Sequence, residues 1–408
     1  MFVTEATPED VQKIEAIRKN DLKAGQIIPE QAFFSMTARS IDGQVWSCAS
    51  FLPSIEYSLD MRDLVISGGL GEIESKLDLV FEGGGSSISM LFPFVFDYPC
   101  NTDTKIETIV AGKMSSSSIS INVAKFKCDD VEYIVRIDDS WTALTINKGN
   151  GEFHGGYELR ICEALAFTFD LEFHPAVIAS SCRGKVRKIL RSYDSAASKQ
   201  SSHPPLSGGF LTPDAGVWDI FAKYLIYVVS FNKPYWHPLS AHVISVLRAS
   251  RASLDAQALS LAVAVEGLLK LEFKGLGSPT SETLSQIKKL QQLIEESDLD
   301  NKFKSRLQGS IGGLKSPRPK DILHHLVESG KIRDSLTKTW GQLRNTYAHA
   351  DSRNPEEIAK LLKDCQTVRT LFNELVFIVI GYKGSYTDYS TGGWPVRCGV
   401  SGVSVTSM

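Results

Sequence analysis

Apolar positions along this chain repeat with two different periods, and the change between them falls near residue 200. From about residue 32 to residue 178, short β-type runs are separated by Gly, Asn, Asp and Ser. The clearest, Val131-Glu132-Tyr133-Ile134-Val135-Arg136-Ile137, alternates so as to predict a strand with one buried and one wet face. Strands are also expected at 63–67, 76–81, 106–111, 117–126 and 159–173. Ser40-Ile41-Asp42-Gly43-Gln44-Val45 carries the Asp-Gly signal of a tight hairpin. An antiparallel sandwich-like or rolled sheet follows from this pattern. Ahead of it, Thr7-Pro8-Glu9-Asp10 joins a cap residue, a first-turn Pro and acids, and predicts a short helix ending near Gly25.

Beyond a Ser-, Pro- and Gly-rich stretch at 192–209, apolar residues recur every three to four positions. Helices are expected at 214–231, 239–250, 253–273, 281–296, 300–312, 320–329, 332–349 and 355–382. The expected fold class is α+β: a β-rich domain at 1–191, a linker at 192–209, an all-α bundle at 210–384 and an extension at 385–408. The extension is either β-like or a loose tail, and its composition favours neither.

Composition narrows the function classes. A chain of 408 residues has room for two or three domains, and 43% hydrophobic with 22% charged residues is a globular balance. A net charge of -3 excludes a uniformly basic binder but leaves room for a local basic patch. The most apolar stretches, 218–231, 259–269 and 371–382, fall short of the roughly 20 residues a membrane span needs. The opening Met-Phe-Val-Thr-Glu has no basic start or apolar core, so a cytoplasmic protein with no secretory signal is expected. The seven cysteines are odd in number and form no C-x-x-C pair, which fits reduced thiols and no structural zinc.

Several chemistries lack their residues. Gly112-Lys113 has neither the earlier Gly nor the following Ser or Thr of a P-loop, and the runs around Gly69 and Gly84 fit turns. Neither a nucleophile elbow nor an H-E-x-x-H helix occurs. His324 and His325, adjacent on a helix, point about 100° apart and are expected at the surface.

One segment stands apart. Ile332, Leu336, Trp340, Leu343 and Tyr347 make an apolar stripe, and Arg344-Asn345-Thr346-Tyr347-Ala348-His349 runs along the same helix. Asn345 and His349 share a face at four residues' spacing, whereas Arg344 and His349 lie about 140° apart. One copy therefore makes no compact pair, and two copies meeting, or a helix loosening at His349, would gather these groups. The earlier helix reads Ala-Leu-Ser-Leu-Ala-Val-Ala-Val-Glu-Gly-Leu-Leu over 258–269, apolar nearly all round. Its Glu266 is expected to be buried and answered by Arg344 or His349, the alternative being that it points outward.

These two helices resemble the HEPN superfamily, whose motif sets four to six residues between an Arg and a following His, and most resemble the Apea-like HEPN domains of bacterial anti-phage defence. The resemblance covers about residues 240–382. It implies a metal-independent, cofactor-free RNA endonuclease whose composite site forms where two bundles pair as a homodimer. Arg344, Asn345 and His349 are its implied catalytic residues, with Glu266 and Tyr347 in support. Attack by the RNA's own 2′-hydroxyl would leave a 2′,3′-cyclic phosphate and a 5′-hydroxyl. Histidine moves protons near neutral pH, and arginine offers a permanent charge and planar fork to phosphate. In HEPN toxins silenced by adenylylation a Tyr stands two residues after the motif His; here Asp351 does, so that silencing is not expected.

RNA, tRNA included, is the implied partner, with Arg183, Lys185, Arg187, Lys188 and Arg191 as a candidate backbone track. Lys302, Lys304, Arg306, Lys315, Arg318 and Lys320 form a second basic set in the helical part. The β-rich domain is expected to sense a phage-derived or nucleotide trigger in an abortive-infection response. The rival readings are a non-catalytic HEPN dimerisation or nucleotide-binding module, and a carbohydrate-binding or transport role of the β domain.

Overall fold

The structure of this chain is a computed structural model that describes residues 33–57, 64–69, 71–78, 85–110, 113–193, 203–207, 214–346 and 355–399, together with 9 and 12. Two compact units divide the chain, the first holding 1–154, 173–199 and 209–211 and the second 155–172, 200–208 and 212–408.

The first unit is an antiparallel sheet. Its strands are β1 (Phe34–Arg39), β2 (Val45–Tyr57), β3 (Leu64–Gly69), β4 (Glu72–Asp78), β5 (Ser86–Phe92) and β6 (Thr102–Val110). They continue as β7 (Lys113–Cys128), β8 (Val131–Asp138), β9 (Trp141–Lys148), β10 (Val177–Cys182) and β11 (Lys185–Arg191). The hydrogen-bonded order is β1-β2-β4-β11-β10-β5-β9-β8-β7-β6, with β3 on the far half of β2. These strands thus join in one hydrogen-bonded antiparallel sheet.

The turns explain why the strands fold back where they do. Gly43, at φ +85°, closes the β1–β2 hairpin with its N–H donating to the Ser40 carbonyl at 2.8 Å. Arg183 and Gly184, both at positive φ, form the tight β10–β11 turn. Alternation on β8 works as expected, with Val131, Tyr133 and Val135 buried. Phe92, Phe94, Phe96 and Phe173 pack in tilted and edge-on pairs as the aromatic centre of the core.

The second unit is helical: α1 (Tyr157–Phe169), α2 (Asp214–Val229), α3 (Pro238–Ala252), α4 (Leu254–Glu272), α5 (Ser281–Glu296), α6 (Asn301–Gly312), α7 (Pro319–Glu328), α8 (Asp334–Thr346) and α9 (Pro355–Ile380). Side-chain oxygens of Ser253, Thr280 and Asp300 cap α4, α5 and α6. Helix α4 is the hub, packing against α3, α7, α8 and α9. The extension supplies a small hairpin, β12 (Ser385–Thr387) with β13 (Val396–Cys398). No helix among the described residues is long and apolar enough to cross a membrane.

The expected strand at 159–173 is in fact α1. A run apolar on every side reads alike as a buried strand or a buried helix. Here Ile161, Cys162, Ala164, Leu165, Ala166 and Phe167 are all buried, as a helix sealed on all faces requires. The helix expected from Thr7 lies outside the described residues apart from 9 and 12, and of the stretch at 192–209 only 192–193 and 203–207 lie within them.

Helix α1 also carries a buried ion pair that fastens the loop before α3. Arg160 and Glu163, both sealed from solvent, meet at 2.8 Å. Arg160 donates to the carbonyls of Lys233 and Tyr235, and the His237 N–H donates to Glu163 at 2.8 Å. His237 Nδ1 then accepts the Leu239 N–H at 3.1 Å, capping α3. Burial, with the Arg160 charge nearby, lowers the His237 imidazole to about 4. The unfolded chain therefore binds a proton near pH 6.5 that the folded one refuses until about pH 4, so this group's contribution to stability falls as pH drops through that window. Urea denaturation at pH 7 and pH 5 is expected to show wild type losing about 2 kcal/mol more than His237→Asn, which keeps a capping acceptor. Equal losses would show that the cap does not titrate.

Candidate functional site

Helix α8 is anchored by the expected stripe, with Leu336, Trp340 and Leu343 buried along it and Ile332 buried just before it. Tyr347 and His349 lie outside the described residues. Trp340 has no exposed surface, and its Nε1–H donates to the Ala262 carbonyl of α4 at 3.2 Å. Over that ring, at 5.7 Å from its centroid, sits the Arg344 guanidinium, whose Nη2 reaches Glu266 Oε2 at 2.9 Å.

Glu266 is not buried as expected: its side chain keeps 22% of its exposure and also takes Lys270 Nζ at 2.6 Å. Helix α4 is apolar nearly all round in sequence, yet Leu259 and Val263 are exposed. With Glu266 and Lys270 they make one stripe at helical spacing, with Glu266 at its edge facing α8. Beside it, a Cβ on Gly267 would stand 2.3 Å from the His242 ring of α3, so any larger residue there would have to displace that ring. Arg344 remains 42% exposed, so one edge of a fixed cation is open to solvent.

Asn345 takes a different direction. It ends a stripe of α8 with Asp334, Lys338, Gly341 and Gln342 that faces Lys320, Leu323, His324 and Val327 of α7 across a cleft of about 440 Å³. Adjacent residues thus serve different neighbours, Arg344 turning to α4 and Asn345 to α7. The cleft was not expected from sequence, since it depends on the short connection that folds α7 against α8. The three-and-four spacing of polar residues on both helices is the signal that was there to find.

The candidate RNA track forms the β10–β11 hairpin. Strand β11 lies beside acidic β4, where Arg187 pairs with Glu74, Arg191 with Glu72 at 2.7 Å, and Lys188 reaches Gln44 at 3.4 Å. Arg183 at the turn meets Glu152 at 3.3 Å, and Lys185 is exposed. Burial would raise the Glu74 carboxyl, but Arg187 and Lys76 outweigh it and hold it below its ordinary value. Most of this basic charge is therefore answered within its own sheet. In the second basic set, Arg318 pairs with Asp321 at 3.0 Å and Lys304 donates to the Glu295 carbonyl, while Lys320 has no ion-pair partner among the described residues. His324 and His325 are exposed, and His324 meets Glu328 at 3.1 Å.

Among the described residues no three His, Cys, Asp or Glu side chains are grouped to hold a metal ion, and all seven cysteines are free. Comparison of the chain with protein-family models, with curated proteins and with solved structures finds no match.

Proposed function

We propose that the protein is a metal-independent RNA endonuclease of the HEPN type, acting as a homodimer with a composite site and serving as an abortive-infection effector in the cytoplasm. The observation that supports this reading most is the state of Arg344. Its guanidinium is fixed by Glu266 and by the Trp340 ring, yet an edge stays open, which suits a cation waiting for a phosphate. In this reading His349 carries the proton taken from the 2′-hydroxyl, the partner copy's histidine protonates the leaving oxygen, and Arg344 meets the charge growing on the phosphorane. Asn345 holds the strand beside them. The β-rich unit restrains the nuclease until its trigger binds.

Purified wild type and the Arg344→Ala/His349→Ala variant, incubated with total RNA and tRNA in EDTA, provide the test. Cleavage by wild type alone, leaving 2′,3′-cyclic phosphate ends, is the expected result. Cleavage that survives in the variant would sink the reading.

The Arg344–Glu266 pair also favours a second reading, a non-catalytic bundle in which Arg344 merely ties α8 to α4. Thermal melts of His349→Ala separate the two. A catalytic histidine can be removed with melting temperature unchanged or raised, whereas a structural one lowers it.

A further inference from the structure

We propose that the cleft between α7 and α8 is a subsite for one nucleotide of a single-stranded RNA, seating the strand beside Arg344; the inference rests on the nuclease reading of that residue. Three observations converge on it. The cleft's volume of about 440 Å³ lies within the range of small-ligand sites, about 300–1,000 Å³. Its lining suits a nucleotide: Val327, backed by the buried Leu323, offers an apolar surface for the flat base, and the amides of Gln342 and Asn345 offer donors and acceptors for its edge. Lys320 supplies a positive charge with no ion-pair partner among the described residues, as a phosphate contact needs. Lys338, the other lysine at the cleft, is answered by Asp334 at 2.5 Å, and His324 Nε2 meets Glu328 at 3.1 Å.

Gly341 adds a fourth. A glycine in the middle of a helix destabilises it relative to alanine, so its place on the cleft wall calls for a reason. A Cβ there would find only Lys320 Cε within 4 Å, at 3.9 Å. The position is empty space, not a close helix crossing, and a side chain would fill the cleft without straining the fold. Position links the cleft to the reaction: Asn345 ends its stripe and is bonded in sequence to Arg344, while Trp340 both borders the cleft and lies under the Arg344 guanidinium.

The test is fluorescence anisotropy with a labelled 2′-O-methyl oligoribonucleotide, which lacks the 2′-hydroxyl nucleophile and stays intact on the 408-residue chain. Lys320→Glu and Gly341→Met are each expected to weaken binding about tenfold or more, and Lys320→Glu to flatten the salt dependence by about 0.7 in log–log slope. Gly341→Met should keep or raise the melting temperature, so lost binding could not be blamed on unfolding. Wild-type affinity in both variants would overturn the subsite. AMP displacing the oligonucleotide at equal concentration would also overturn it, by moving the occupant from an RNA chain to a free nucleotide. The failures are separable: cleavage that needs Arg344 with binding blind to Lys320 and Gly341 sinks the subsite alone. Binding that needs both residues, in a protein whose cleavage ignores Arg344, sinks the nuclease reading and leaves an RNA-binding cleft.

Discussion

Replacing Arg333 with alanine should cost about 3–5 kcal/mol of stability, read as a shifted midpoint in chemical denaturation. Arg333 bridges two carboxylates that have almost no exposed surface, meeting Glu374 at 2.9 Å and Asp388 at 2.8 Å. Tyr386 donates to the same Glu374 oxygen, and Arg397 closes on Asp388 from the C-terminal hairpin. Removing Arg333 leaves Glu374 with a phenol and no cation, and a buried uncompensated carboxylate is costly. Burial would raise the Asp388 carboxyl, but hydrogen bonds from Arg333, Ser390 and Arg397 outweigh it and hold it well below the usual carboxylate range. A carboxyl depressed in the folded state adds stability above pH 3.8 and loses it as pH falls through its folded value. The gap between wild type and variant should therefore narrow in acid, as the stranded carboxylates take up protons. A variant within about 1 kcal/mol of wild type at pH 7 would mean the network contributes little beyond its neighbours.

Trp340→Ala is expected to cost about 3–5 kcal/mol, since it empties the largest fully buried side chain and removes the indole hydrogen bond to the Ala262 carbonyl, which keeps only its helical bond. Its interest lies in a second effect. The indole is the surface beneath the Arg344 guanidinium, so any protein that still folds should have lost the placement of that cation. Trp340→Phe separates the two: it keeps a ring under Arg344, loses the hydrogen bond, and should cost about 1–2 kcal/mol. On the nuclease reading, cleavage falls steeply in the alanine variant and modestly in the phenylalanine variant at temperatures where both are folded. Equal cleavage rates in folded Trp340→Ala and wild type would show that the ring does not position Arg344.

Helix α8 and its stripe were legible because Leu336, Trp340 and Leu343 sit on a surface half buried and half wet, where periodicity is plain. The strand β8 was legible for the same reason at period two. Helix α1 reads as a strand because burial on every side erases periodicity, although Arg160 and Glu163 three apart within that apolar run are a helical pairing. The partial exposure of Glu266 was likewise hidden. Alanine and valine on α4 read as core whichever way they face, and only packing decides that Val263 is bare and Val265 sealed. The C-terminal hairpin has no signature in sequence because its bonding is long-range, from Thr387 to the Pro205 carbonyl and Ser207, and from Asp388 to Arg333. No local pattern encodes partners so far apart in sequence.

The chain order around α1 constrains how the protein is made. Helix α1 belongs to the helical unit, yet it is spelled out between β9 and β10 of the sheet. It packs on α2, which begins only at Asp214. A ribosome adding about 5–20 residues each second therefore releases an apolar helix seconds before its partner exists. During that interval β10 and β11 can zip onto β5 and β4, completing the sheet first. Synthesis thus delivers the β-rich unit finished while the bundle, with Arg344 in its penultimate helix, is still unassembled. On the nuclease reading, a restraint carried by the β-rich unit would be ready on the growing chain before there is a site to restrain.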